Sequence, residues 1–264
     1  MPARIGVLWH RRQKTRHLKW YLVSQLAEIW REDGLDVVFL RGTGRFIPAD
    51  VLIVHVDVSV VPDDYLDFAA RYPIALNRKV TDIRKSTFST QRYEPGSGYA
   101  GPVIVKSNLN HGGRPERVLA PLPAPRRSLE YRVYDRPEDL PARILRDHAL
   151  IVEQFIPETD GHMFYVRNFD FLGDSVTCVR LGSPSPVVRW DTHVRDEEID
   201  PHPELLELRQ RLCLDFGELD YVERERHVQL FDANKTLGTS APPLTAAQVA
   251  RRRHLAAGIY SYLG

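Results

Sequence analysis

The chain has 264 residues, of which 43% are hydrophobic and 27% charged, so it can bury a substantial core. Its formal net charge of +1 gives no electrostatic argument for nucleic acid or another strongly charged partner. Cys178 and Cys213 fit neither a zinc site nor a disulfide framework, and no apolar run approaches the roughly 18 residues that span a bilayer. We therefore expect a cytoplasmic protein without a membrane partner.

The first third of the sequence alternates apolar strands with amphipathic helices. Strands are predicted at 4–9, 36–40, 51–54 and 72–76, and helices at 18–34 and 63–71. This alternation favours an α/β lobe of about 80 residues built on an open, mostly parallel sheet.

Beyond Asn77 the composition changes, and glycine and proline precede shorter strands. A Pro- and Arg-rich segment runs from 115 to 127, and an acidic loop is predicted from 196 to 200. The strands predicted in this part are 103–106, 150–153, 164–172, 175–181, 218–223 and 228–232, and the helices are 203–215 and 245–263, the last capped by Thr245.

Two aspartates are predicted to face each other near the end of the chain. Asp220 and Asp232 lie on consecutive strands joined by a short charged turn, and Asn234 follows on the same face. Carboxylate oxygens, with nucleotide phosphates and water, are the ligands that Mg²⁺ takes in proteins. The alternative is two ordinary surface acids beside a turn, although the apolar residues around them indicate buried strands in which an acid needs a partner.

A second candidate site follows the strand at 103–106. This strand brings Lys106 to a polar segment, 107–113, whose two glycines allow backbone amides to approach an anion. Neither a Walker motif nor a dinucleotide-binding fingerprint is present. We interpret the segment as a phosphate cradle; the alternative is a lysine that extends from a strand edge into solvent.

Several segments, taken in order along the chain, resemble motifs of the ATP-grasp superfamily, in particular its glutathione-synthetase-like carboxylate–amine ligases. The resemblance covers nearly the whole chain, from Arg4 to about Gly238. In the last matching segment the family more often has glutamate where this chain has Asp232. The segments are 77–85 (NRKVTDIRK), 102–106 (PVIVK), 152–156 (VEQFI), 164–167 (FYVR), 176–180 (VTCVR), 216–222 (FGELDYV) and 231–238 (FDANKTLG).

The resemblance implies an α/β ATP-grasp fold, with an N-terminal Rossmann-like (pre-ATP-grasp) lobe at 1–78 and two α+β lobes, 79–152 and 153–264, that clasp the nucleotide. The implied cofactors are ATP and Mg²⁺. The residues implied for phosphate are Lys85 and Lys106, those for adenine and ribose are Glu153, Gln154, Phe155 and Ile156, and those for the metal are Asp220, Asp232 and Asn234.

Carboxylate ligases of this family phosphorylate a carboxylate to an acyl phosphate, which an amine then attacks. The resemblance therefore implies an ATP-dependent carboxylate–amine ligase whose partners are a small-molecule or peptide carboxylate and an amine acceptor. Arg180 is the first candidate for stabilising the acyl phosphate through bidentate hydrogen bonds, and Arg167 is the second. The alternative for either arginine is a cross-strand salt bridge.

Two other interpretations of the whole chain stay open. One is a kinase on the same fold that transfers phosphate to a hydroxyl group of a small molecule. The other is a non-catalytic nucleotide-sensing or partner-binding module, which the complete set of lysines and metal ligands disfavours. Nucleic-acid binding is disfavoured because the basic clusters are short and carry no interleaved aromatic residues. The sequence is compatible with a monomer or an oligomer.

Two basic clusters lie outside these motifs. The first, at 11–19, follows the first strand, where open α/β lobes bind ligands, so it is interpreted either as a site for an anionic acceptor or as a solvated helix start. The second, 251–254 (RRRH), is predicted to be an exposed helix face.

Overall fold

The computed structural model describes residues 2–120, 131–239 and 243–264, so part of the Pro- and Arg-rich segment at 115–127 lies outside the described residues. The helices are α1 (Leu22–Glu32), α2 (Asp63–Ala69), α3 (Lys85–Phe88), α4 (Arg114–Leu119), α5 (Ala142–Leu145), α6 (Glu204–Arg211) and α7 (Ala246–Ala257). The strands are β1 (Arg4–Trp9), β2 (Asp36–Arg41), β3 (Val51–His55), β4 (Ile74–Leu76), β5 (Val103–Ser107), β6 (Arg132–Tyr134), β7 (Leu150–Gln154), β8 (Glu158–Thr159), β9 (Phe164–Leu172), β10 (Ser175–Ser183), β11 (Arg195–Glu198), β12 (Phe216–Arg224) and β13 (His227–Asn234).

The N-terminal sheet is parallel, as its alternating pattern predicts. Its strand order is β2-β1-β3-β4, with every neighbouring pair parallel. The apolar side chains of β1 and β3 are buried because helices cover the sheet. Helix α7, from the far end of the chain, joins this core: the indole Nε1 of Trp30 in α1 donates a hydrogen bond to the carbonyl of Ala256 at 2.9 Å.

The remaining strands form two antiparallel sheets. The smaller has the order β6-β5-β7, and the larger has the order β11-β10-β9-β12-β13 with β8 added to β9. Strands β9 and β10 form the predicted hairpin, with Leu172 opposite Ser175. Gly173 in its turn has φ 53°, and a Cβ there would lie 2.5 Å from the carbonyl oxygen of Gly258, so the turn requires glycine.

Several element ends differ from the sequence predictions. The helix predicted from 18 begins as a 3₁₀ turn, Thr15–Trp20, before α1 starts at Leu22. Helix α6 ends at Arg211, short of the predicted 215, because Cys213 adopts a left-handed φ of 55° that an α-helix does not allow. The acidic loop is instead strand β11, which pairs with β10.

The last helix begins as predicted and ends early. The hydroxyl of Thr245 accepts a hydrogen bond from the amide of Gln248 at 3.2 Å, which confirms the predicted cap. The α-helix stops at Ala257, and Gly258–Tyr262 continue as a 3₁₀ segment. No helix in the described parts of the chain is long and apolar enough to cross a bilayer.

Candidate active site

A cavity of about 690 Å³ is lined by side chains of both antiparallel sheets. Strands β5 and β7 of the smaller sheet contribute to it, as do β9, β10, β12 and β13 of the larger sheet, while α7 contributes residues near one end. Most of the residues predicted to form a site line this one cavity, so their mutual geometry can be described directly.

The two predicted metal-binding aspartates lie directly opposite each other. Asp220 on β12 is the cross-strand partner of Asp232 on β13, and Glu218 is the partner of Asn234. The predicted arrangement across this hairpin is therefore confirmed. Immediately after Asp220 the register shifts by a β-bulge, which leaves Phe231 without a cross-strand partner. Bulges are frequent beside active sites because they redirect neighbouring side chains.

The opposed carboxylates of Asp220 and Asp232 repel each other when both are ionised. Burial and the nearby Asp232 raise the pKa of Asp220 to about 8, although the side-chain amide of Asn168 donates a hydrogen bond to it. In residues 2–120, 131–239 and 243–264, no group of three or more histidine, cysteine, aspartate or glutamate side chains is arranged to hold a metal ion. The candidate site therefore consists of two carboxylates and the amide oxygen of Asn234.

Lys85 lies against this carboxylate pair. It opens the short helix α3, its side chain is only 3% exposed, and its Nζ donates to Oδ1 of Asp232 at 3.0 Å. Burial acts to lower the pKa of Lys85, but Asp232, Tyr131 and Glu153 together outweigh burial, and the net pKa is raised. The lysine therefore stays protonated, with its charge at the cavity wall.

Lys106 is a second buried lysine in the cavity wall, and it belongs to the smaller sheet. It extends from β5, forms a buried ion pair with Glu153, and its Nζ donates to the carbonyl of Phe231 at 3.1 Å. Lys106 thus joins the smaller sheet to the bulge of the larger one. The second carboxylate oxygen of Glu153, Oε1, is buried and has no hydrogen-bond partner in the described residues. The structure places Glu153 against Lys106, a contact that the sequence does not predict.

The predicted hinge follows β7 along the cavity wall. Gln154, Phe155 and Ile156 all line the cavity. The amide of Gln154 donates to the carbonyl of Gln91 at 2.8 Å, and the amide of Phe155 donates to the carbonyl of Pro102 at the same distance. The amide of Ile156 makes no hydrogen bond to any of the described residues.

The segment after β5 holds Asn234 in place. The side-chain amide of Asn110 donates to Oδ1 of Asn234 at 3.1 Å, and the backbone amide of Thr236 donates to the same oxygen at 3.0 Å. His111 and Gly112 have positive φ values of 45° and 65°, so this loop is tightly turned. The predicted phosphate cradle therefore contacts the candidate metal ligand.

The structure places Arg180 and Arg167, the residues predicted to bind an acyl phosphate, outside the cavity lining. Neither lines the cavity, because strand alternation directs Val166 and Asn168 on β9 to the cavity and the intervening Arg167 to the opposite face. Arg167 forms ion pairs with Glu158 and Glu223. The salt-bridge alternative describes it correctly.

Arg180 lies beside Arg167 on this opposite face. Its Nε is 3.0 Å from a carboxylate oxygen of Glu197, and its guanidinium lies 4.0 Å from the ring centre of Tyr165. Arg180 therefore also forms the cross-strand salt bridge of the alternative interpretation. For both arginines, binding of an acyl phosphate stays a prediction.

The basic cluster at 11–19 also lies away from the cavity. None of its described residues lines the cavity, and most are exposed. Arg11 reaches Asp64 only at 3.9 Å, and Lys19 lies 5.0 Å from the ring centre of Trp20. The solvated helix start is the interpretation that fits.

Sequence reasoning missed several polar residues at or beside the site. Asn168 and Asp170 alternate with Phe169 and Phe171 along β9, and this period of two was the signal that could have found them. Lys235 is fully buried behind the cavity, where its Nζ donates to the carbonyl of Val56. It is one of the six lysines of the chain, against thirty arginines.

Sequence comparisons find no match for this chain, whereas structural comparisons find proteins of similar fold. No protein-family model matches it, and no curated protein is significantly similar in sequence. In fold it is similar to the ATP-grasp RimK domain protein from Sphaerobacter thermophilus. The two are 15% identical with a TM-score of 0.52, and the match covers 99% of this chain and 100% of that one.

Two further solved structures have similar folds. D-alanine–D-alanine ligase from Bacillus anthracis, complexed with ATP, is 11% identical with a TM-score of 0.55, covering 99% of this chain and 97% of that one. Macrocyclase MdnC from Microcystis aeruginosa, bound with the precursor peptide MdnA, is 10% identical with a TM-score of 0.54, covering 98% and 99%. Through these similarities the chain is assigned to the ATP-grasp superfamily fold.

Proposed function

We propose that this protein is an ATP- and Mg²⁺-dependent ligase that joins a carboxylate to an amine through an acyl phosphate. The observation that carries the proposal is the meeting of two buried lysines, Lys85 and Lys106, with the opposed carboxylates of Asp220 and Asp232 around one cavity. Cations, a metal site and an enclosed space are what phosphoryl transfer needs. The fold adds support, because two structural neighbours are a ligase and a macrocyclase by name.

ATP binds in this proposal between the two antiparallel sheets. The free amide of Ile156 and the hinge carbonyls receive adenine, with Gln154 and Phe155 beside it. Lys85 and Lys106 bind the phosphates as point charges. We propose lobes at 1–78, 79–152 and 153–264, one for each sheet, with the second boundary falling inside β7, whose Glu153 and Gln154 still pair with β5.

The residues present fit Mg²⁺. The donor atoms of Asp220, Asp232 and Asn234 are all oxygens, and two of them belong to carboxylates that face each other with a single lysine bonded to one of them. A divalent cation between them would relieve this repulsion. When bound, Mg²⁺ neutralises charge on the phosphate oxygens. Asn110 orients Asn234 for this role.

The proposed reaction has two steps. In the first, a carboxylate oxygen of the acid attacks the γ-phosphorus of ATP, the bond from that phosphorus to the β,γ-bridging oxygen breaks, and ADP leaves with the electron pair. In the second, the amine nitrogen attacks the acyl carbon, the bond from carbon to the phosphate oxygen breaks, and phosphate leaves while the nitrogen loses a proton. Lys85 and Lys106 stabilise the charge that develops in the first step.

The proposed partners are a small-molecule or peptide carboxylate and an amine. We also place the reaction in a reducing cytoplasm, because Cys178 and Cys213 are both free thiols.

Hydroxylamine provides a direct test, because it replaces the amine and converts an acyl phosphate to a stable hydroxamate. The purified protein is incubated with Mg-ATP, hydroxylamine and a panel of carboxylic acids, and both hydroxamate and ADP are measured. We expect at least one acid to give equal amounts of both, whereas Asp232→Asn gives neither. Arg180→Gln is the matched control, because it changes a charge on the opposite face of the sheet. A hydroxylamine-stable phosphorylated product would contradict ligation and indicate the alternative kinase activity.

A further inference from the structure

Three consecutive arginines of α7 have three different environments. The run 251–254 was predicted to be an exposed helix face, but Arg251 and Arg252 are half-buried and line the cavity. Arg251 lies 3.6 Å from a carboxylate oxygen of Asp196. Arg253 points away and pairs with Glu32 at 2.8 Å. The prediction is therefore wrong for the first two residues and correct for the third.

Arg252 differs from its two neighbours because it pairs with no carboxylate in the described ranges. Its Nη2 donates to the hydroxyl of Thr239 at 2.8 Å, while its Nη1 is buried without a hydrogen-bond partner in those ranges. An uncompensated guanidinium in a cavity wall is costly unless a ligand supplies the missing charge and hydrogen bonds.

Two neighbouring side chains fix the position of this guanidinium. The hydroxyl of Thr239 donates to Oε1 of Gln25 at 3.0 Å, so its lone pairs are directed to receive Arg252. Gln25 belongs to α1, so Thr239 links the guanidinium of Arg252 on α7 to a helix that packs against α7. Burial and the adjacent Arg251 lower the pKa of Arg252.

We propose that Arg252 binds a substrate carboxylate that does not react, so that the enzyme takes a substrate with a carboxylate in addition to its reacting group. This inference rests on the proposed ligase function. The phosphates of ATP have their own cations in Lys85 and Lys106, which leaves Arg252 for the other substrates. Its planar fork suits a carboxylate, because two parallel N–H groups can bind both oxygens.

Either substrate can carry this carboxylate. A dicarboxylic acid would use one carboxylate for activation and the other for Arg252, whereas an amino acid or peptide would react through its amine. Both present the same chemical group to the guanidinium. A test that uses both classes therefore identifies the substrate that Arg252 recognises.

The experiment is calorimetric titration of protein saturated with Mg-ADP. The probes are short dicarboxylic acids with their monoamides, and α-amino acids with their carboxamides. We expect at least one free carboxylate to bind, its amide to bind more weakly, and Arg252→Gln to weaken the carboxylate by about tenfold or more. Arg252→Lys should retain part of the affinity, because it keeps the charge but loses the fork. Arg253→Gln is the control and should bind as the wild type does.

The outcomes separate this inference from the proposed function. A preference for dicarboxylic acids assigns the carboxylate to the acid, and a preference for amino acids assigns it to the amine. Equal binding of acids and amides, no binding of any probe, or unchanged affinity in Arg252→Gln would overturn the inference. Weaker Mg-ADP binding in Arg252→Gln would overturn it too, because Arg252 would then belong to the nucleotide site. Absence of Mg-ADP binding in the wild type would contradict the ligase proposal itself.

Discussion

The two faces of the larger antiparallel sheet differ in how their charged side chains are paired. On one face Arg167 lies between Glu158 and Glu223, and its side chain is 13% exposed, so its charge is neutralised within the fold. On the cavity face Asp220 opposes another acid, Asp232. The charge of Arg167 is thus paired within the fold, whereas on the cavity face Lys85 bonds to only one of the two opposed carboxylates.

This contrast separates structural charges from functional ones. A paired charge contributes to the free energy of unfolding, and its loss leaves a partner without compensation. Opposed or unpaired charges lower stability, and they occur most often at sites that bind a ligand or carry out a reaction. Substitutions on the cavity face should therefore affect chemistry, and those on the other face should affect stability.

The largest expected effect is on the proposed metal ligands. Asp232→Asn and Asn234→Ala should each lower Mg²⁺-dependent hydroxamate formation by more than about 100-fold, because even residues that only orient metal ligands cost 10- to 100-fold when changed. Circular dichroism should show that both variants remain folded. Full activity in both variants would remove the metal assignment.

The next effect concerns His55, whose imidazole is fully buried. Neither ring nitrogen has a hydrogen-bond partner in the described residues, and burial, aided by Lys235, lowers the pKa of His55 to about 3. Between pH 6.5 and 3 the unfolded chain binds a proton that the folded chain does not, so stability falls as pH falls. The loss from this residue is about 1.4 kcal/mol per pH unit.

The measurement is urea unfolding of the wild type and of His55→Phe. The ring of His55 lies 4.3 Å from that of Trp9, centre to centre, so phenylalanine suits its surroundings. From pH 6.5 to 5, the wild type should lose about 2 kcal/mol more stability than the variant. Parallel pH curves would show that His55 accepts its proton in the folded state.

An effect of similar size on stability, with none on nucleotide binding, is expected on the paired face. Arg167→Gln should lower the free energy of unfolding by about 2 kcal/mol, because it leaves two partly buried carboxylates without their cation. Affinity for Mg-ATP, measured by calorimetry, should stay within about twofold of the wild type, a change of under half a kcal/mol. A large loss of nucleotide affinity in a folded variant would place Arg167 in the active site after all.

The smallest effect is expected for Arg180→Gln. The side chains of Arg180 and Glu197 are 26% and 33% exposed, and ion pairs of this kind contribute less than about 1 kcal/mol. Urea unfolding should therefore place this variant closer to the wild type than Arg167→Gln. If Arg180→Gln lowered the free energy of unfolding more than Arg167→Gln does, burial would not determine how much each of these ion pairs contributes.

Sequence reasoning succeeded where local geometry decides the outcome. The β9–β10 hairpin and the pairing of Asp220 with Asp232 follow from turn residues and from a side-chain period of two, which together fix the register. The parallel N-terminal sheet follows in the same way from alternating strands and helices.

It failed where both faces of a strand carry polar groups. On β9 Arg167 lies on one face, and Asn168 and Asp170 lie on the other. The alternation shows that they face opposite ways, but the packing of Phe169 and Phe171 against a distant core decides which face meets the cavity. That packing depends on residues far away in sequence.

Long-range packing also explains the missed cations. The resemblance to ATP-grasp motifs pointed to Lys85 and Lys106, which are buried at the cavity. The third buried lysine, Lys235, bonds to Val56 in the N-terminal sheet, and Arg252 reaches the cavity only because α7 packs against α1. No local pattern reveals either contact.

The central claim is that the two lysines and the carboxylate pair form one Mg-ATP site. Calorimetric titration of ATP, with and without Mg²⁺, into the wild type and Asp232→Asn tests it most directly. We predict Mg²⁺-dependent binding in the wild type and loss of that dependence in the variant. Absence of ATP binding in the wild type, or an unchanged Mg²⁺ dependence in Asp232→Asn, would contradict the account.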